Sequence, residues 1–73
     1  MIFDVVHLEE NKEIVVENEG LMNIFILNIG GSCLYSEKDI VLDDRDGYSC
    51  AEEKYSFKAV KNICTLFILK VYN

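Results

Sequence analysis

The chain has 73 residues, 51% of them hydrophobic, and a net charge of −6 from 13 acidic and 7 basic side chains. A single domain of that size, here residues 1–73, hides only about 60% of its unfolded surface and draws extra stability from disulfides, a metal or another chain. The charge excludes binding nucleic acid through its phosphates, which takes a basic stripe, and adhesion to anionic lipid.

The charge is uneven. Residues 1–19 carry Asp4, Glu9, Glu10, Glu13, Glu17 and Glu19 against Lys12 alone, and the rest of the chain is nearly balanced. Ile2–Leu8 reads as a first strand and Glu9-Glu-Asn-Lys12 as a turn. Glu13–Glu17 reads as a second strand with Ile14 and Val16 inward and Glu13 and Glu17 outward. Asn18-Glu-Gly20 closes that unit. The run Met22–Ile29 is apolar on both sides: Ile24, Ile26 and Asn28 point one way, Phe25, Leu27 and Ile29 the other. Gly30-Gly31 ends it with a sharp reversal. Leu34 and Tyr35 lead into a polar connector, Ser36–Asp39, then a short strand at Ile40–Leu42 and a turn at Asp43–Gly47.

Residues 48–61 admit two readings. Ser49 followed by Glu52 resembles a helix capping box, but a helix would scatter Cys50, Ala51, Tyr55, Phe57, Ala59 and Val60 around its circumference. As a strand, Tyr55, Phe57 and Ala59 share one face, with Lys54, Ser56 and Lys58 on the other, so the strand is preferred. Lys61-Asn62 turns into a last strand, Ile63–Tyr72, again apolar on both faces. The expectation is an all-β fold, a compact antiparallel sandwich or barrel of six to seven short strands.

No motif assigns chemistry. Residues 42–53 align with a calcium loop at Asp44, Asp46, Gly47 and Glu53, but Leu42 stands at the leading carboxylate position and the flanks read as strands. An Asp-rich turn is the preferred reading. Cys33, Cys50 and Cys64 are an odd number at wide spacing and read as reduced, buried thiols of a reducing compartment. They and His7 lack zinc-site spacing. Gly30-Gly-Ser32 lacks the pattern of a nucleophile elbow or phosphate loop, and so short a chain leaves little room for a substrate pocket. Catalytic residues, metal and cofactor are therefore expected to be none, and the chain is read as not an enzyme. The N-terminus lacks the basic start of a secretory signal, and neither apolar run reaches the 18 or so residues of a membrane span.

Two features could bind protein. The acidic residues Glu9, Glu10, Glu13, Glu17 and Glu19 could form a carboxylate row that blocks a basic site of a host enzyme, in the manner of a nucleic-acid mimic. A solvated face is the plainer reading, since Lys38, Lys54, Lys58, Lys61 and Arg45 dilute the charge. Alternatively, two strands that are apolar on both faces exceed what one thin core can cover. At least one face, with Phe67, Leu69 and Val71 on the last strand, is then a candidate interface.

The strand order over residues 13–72 resembles small β-sandwich modules among the virion accessory proteins of tailed phages. The matching elements are Glu17-Asn-Glu-Gly20 before Asn23-Ile-Phe-Ile26, a polar connector into Ile40-Val-Leu42, the alternating Tyr55-Ser-Phe-Lys-Ala59, and Leu66-Phe-Ile-Leu-Lys-Val71. Ser36-Glu-Lys-Asp39 replaces the Pro-Gly pair such modules often carry. The resemblance implies a non-enzymatic structural or accessory role, with self-association or docking on a larger assembly, in the host cytoplasm or the virion.

Overall fold

The computed structural model describes residues 1–18, 20, 23–51 and 53–72, with the Cys50 side chain left out. Eight strands run through them: β1 (Ile2–Leu8), β2 (Glu13–Glu17), β3 (Asn23–Ile29), β4 (Ser32–Tyr35), β5 (Ile40–Leu42), β6 (Gly47–Cys50), β7 (Lys54–Lys61) and β8 (Cys64–Val71). A 3₁₀ turn at Ser36–Lys38 joins β4 to β5. The strands form two four-stranded antiparallel sheets, β1-β8-β3-β6 and β2-β7-β4-β5, facing each other across one core.

The all-β expectation is met with one or two more strands than the six to seven expected. Ser32–Tyr35, read as the approach to a connector, is a strand because Cys33 and Tyr35 alternate inward while Ser32 and Leu34 point out. The other addition follows the Asp43–Asp46 turn, where Gly47–Cys50 pairs with β3. The helical alternative for residues 48–61 is not what forms: two strands occupy the segment. Its capping residue Glu52 lies outside the described residues, as does Met22 of the first apolar run.

Register explains the core. Alternate residues of a strand point to opposite faces, so Ile24, Ile26 and Asn28 of β3 and Cys64, Leu66 and Ile68 of β8 bury on one side. From the opposite sheet come Cys33, Tyr35, Tyr55, Phe57 and Ala59, also fully buried. Tyr35 is the aromatic centre, with ring centroids 5.1 Å from Phe57, 5.3 Å from Tyr48 and 5.9 Å from Tyr55.

Two polar devices lock the layers. Buried Asn28 donates from Nδ2 to the carbonyl oxygens of Leu42 (2.9 Å) and Asp43 (3.2 Å), tying the end of β3 to the β5–β6 turn. Gly31 sits at positive φ against the β7–β8 turn, where an added Cβ would overlap the Lys61 carbonyl oxygen. Among the described residues no helix is long and apolar enough to cross a membrane.

Candidate functional site

The outer face of the β1-β8-β3-β6 sheet stands out. Pairing sets Phe3, Leu69, Phe25 and Ser49 side by side in one row across four strands, and Val5, Phe67, Leu27 and Gly47 in the next. A third row joins His7, Thr65 and Ile29, with a 3.1 Å hydrogen bond between His7 Nδ1 and Thr65 Oγ1. Every outward position on these strands is apolar or uncharged polar apart from His7. No Asp, Glu, Lys or Arg stands at any of them, in a chain that is 27% charged.

Five of the twelve exposed large hydrophobic side chains among the described residues lie there, while Val15, Val41 and Val60 are exposed on the opposite sheet. Phe3 is 57% exposed, Val5 and Phe25 45%, Leu27 40% and Ile29 38%, while Phe67, Leu69 and Val71 are half-buried between them on the central strand. The Phe3 and Phe67 rings stack with centroids 6.2 Å apart. The residues singled out from the sequence, Phe67, Leu69 and Val71, thus lie at the middle of the face. Sequence analysis placed Phe25, Leu27 and Ile29 on one side of their strand but missed Phe3 and Val5. Their alternation was visible, but nothing local showed that β1 would pair beside β8.

The opposite outer face is built differently. Glu13 lies in register with Lys58 and Glu17 with Lys54, so acids and bases alternate across β2 and β7 as favourable cross-strand neighbours. The 3₁₀ turn contacts β7, and Ser56 N–H donates to Glu37 Oε1 at 2.6 Å, which helps bury Ser56. Desolvation opposes the charge on Glu37, but the Ser56 hydrogen bonds outweigh it and hold the carboxyl below its ordinary value.

The acidic candidates therefore do not form an unbroken row. Glu13 and Glu17 alternate with lysines, and Glu9 and Glu10 lie in the β1–β2 turn, where Glu10 Oε1 accepts from Asn62 N–H at 2.8 Å. Glu19 lies outside the described residues.

The Asp-rich turn spends its carboxylates on its own fold. Asp43 Oδ1 accepts from the Ser32 hydroxyl (2.8 Å), Asp44 Oδ1 from Gly30 N–H (2.7 Å), and Asp46 Oδ2 from Asp43 N–H (2.8 Å). Glu53 lies beyond the far end of β6, where its main-chain carbonyl accepts from Asn18 N–H. Among the described residues, no group of three or more His, Cys, Asp or Glu is placed to hold a metal ion.

Cys33 and Cys64 are free and buried side by side between the sheets. Burial first, and then the neighbouring Cys64, push the Cys33 thiol up to about 12; burial also raises that of Cys64.

One expectation needs correction. The chain does have room for a cleft: an open groove of about 700 Å³ lies where edge strands β1 and β2 part. Ile2, Val6, Ile14, Val16 and Ile68 line it, with Asp4, Glu17 and Lys70 as its charged residues. No His, Cys, Ser or Thr is among its described lining residues. Asp4 points inward from an edge strand, which discourages the pairing of further strands.

No protein-family model, curated protein or solved structure matches the chain.

Proposed function

We propose that the chain is a non-enzymatic interaction module whose contact surface is the outer face of the β1-β8-β3-β6 sheet. One observation carries this reading: an exposed apolar face with no Asp, Glu, Lys or Arg across four strands, on an otherwise charge-rich chain. Single exposed apolar residues are ordinary, but a contiguous set of this kind marks an interaction surface. Desolvating it costs little because it holds few polar groups. The other outer face, with its alternating charges, keeps so apolar a domain dissolved. The fold is then a small β-sandwich of the structural or accessory type that the strand order resembles, docking on its own kind or on a larger assembly.

The test is association measured against salt and against charge placement. Binding through this face should be nearly unchanged between about 0.05 and 0.5 M salt, because no ion pairs are screened. It should be lost in Phe25→Glu and kept in the double variant Glu13→Lys, Glu17→Lys. The reverse pattern, with steep salt dependence and loss in the lysine variant, would replace this reading with electrostatic docking through the acidic strand.

A further inference from the structure

Resting on that reading, we infer that the occupant of the apolar face is a second copy of the chain, stacked sheet on sheet about a two-fold axis running along β8.

Area is the first argument. With about 200 Å² for a whole Phe side chain and somewhat less for Val, Leu and Ile, the exposed fractions on this face amount to roughly 500 Å² of apolar surface. The uncharged rim of His7, Thr65, Asn23 and Ser49 brings it toward the roughly 800 Å² per partner of a stable complex.

Charge is the second. A chain of net −6 repels its own copies through most of its surface. On this face there is nothing to repel, and the acids of β2 lie on the opposite side of the molecule. In a face-to-face pair the two outer faces that carry Glu13 and Glu17 stand about three sheet spacings apart, on the order of 30 Å, well beyond the screening length of about 8 Å at physiological salt. A differently charged partner would have to desolvate its own charges against a surface that offers none in return.

Geometry is the third. Two copies of one sheet share the same twist, and sheets of like twist stack at about −30° with their side chains interlocked. An axis along β8 lays β1 of one copy over β3 of the other. Phe3 then meets Phe25, Val5 meets Leu27, and Phe67 meets Phe67, because β1 and β3 flank β8 in matching register. The contact is closed and self-complementary, so it yields a dimer and not a fibre.

Mass measurement of the purified full-length chain decides it, using light scattering at about 100 μM and dilution to about 1 μM. The expected result is twice the 8.4 kDa chain mass at the higher concentration. Leu27→Glu should weaken the dimer at least about 100-fold, since it buries an unpaired charge. Val41→Glu, at a position 50% exposed on the opposite sheet, should not weaken it. Circular dichroism shows whether Leu27→Glu keeps its fold, and Ser49→Glu at the edge of the same face serves as a milder second variant. A monomer at 100 μM overturns the second copy as occupant while leaving the face itself to the association test above. A dimer untouched by Leu27→Glu and Ser49→Glu overturns both.

Discussion

Of the four glycines, Gly31 leaves the least room for a side chain. Its φ is +43°, and an added Cβ would overlap the Lys61 carbonyl oxygen while lying 3.0 Å from that of Ile63 and 3.1 Å from Cys64 Sγ. Left-handed backbone costs an L-residue about 1–2 kcal/mol. Relieving the overlap means moving the β7–β8 turn, an overpacking cost of about 1–3 kcal/mol. Gly31→Ala should therefore lose about 2–5 kcal/mol, a large share of the roughly 4–11 kcal/mol expected for a domain of this length. Gly20 supplies the internal control: its φ is +78°, but nothing lies within 4 Å of an added Cβ, so only the backbone term of about 1–2 kcal/mol applies. Urea unfolding of both variants at one protein concentration, with equal slopes, measures the difference. Equal midpoint shifts would refute the claim that the close approach of β4 to the β7–β8 turn is rigid.

Asn28→Ala should cost about 3 kcal/mol in the same assay, because the carbonyls of Leu42 and Asp43 lose a buried donor. Glu37 sets part of the acid response. Its carboxyl titrates below its ordinary value in the folded chain, so its contribution is present above that value and lost as pH falls through the lowered one. Glu37→Gln, which keeps an acceptor for Ser56, should flatten the acid limb of a stability-against-pH curve. Cys33 acts at the other end: with its thiol raised to about 12, it contributes stability below the unfolded value that is lost as pH rises through about 12. Cys33 and Cys64 should accordingly resist alkylation at pH 8 in the native chain and react on unfolding, read as mass added per chain.

Much of the fold was legible because period-two alternation is a strong signal where one face is polar. Tyr55, Phe57 and Ala59 against Lys54 and Lys58 fixed β7, and Ile14 and Val16 against Glu13 and Glu17 fixed β2. The short strand β4 was harder, since Ser32-Cys-Leu-Tyr35 is four residues with only Ser32 polar, and β6 hid behind a capping-like Ser49. The interaction face was half legible. Strands apolar on both sides announced a surplus of apolar surface, and Phe67, Leu69 and Val71 fell on its central strand. Phe3 and Val5 joined them only through the long-range pairing of the first and last strands, which no local pattern encodes. The cleft between β1 and β2 was likewise invisible, because it arises from two sheet edges diverging.

Methyl NMR with a soluble nitroxide probes the contact face most directly. At about 1 mM protein, where an association of this kind is saturated, the methyls of Val5, Leu27, Ile29 and Leu69 should be shielded from the nitroxide, while those of Val15 and Val41 on the opposite sheet broaden freely. On dilution toward the monomer all four should gain accessibility, with Val5, Leu27 and Ile29 approaching Val15 and Val41 and the half-buried Leu69 remaining below them. Equal broadening of both groups at every concentration would contradict a second copy of the chain as the occupant of the apolar face.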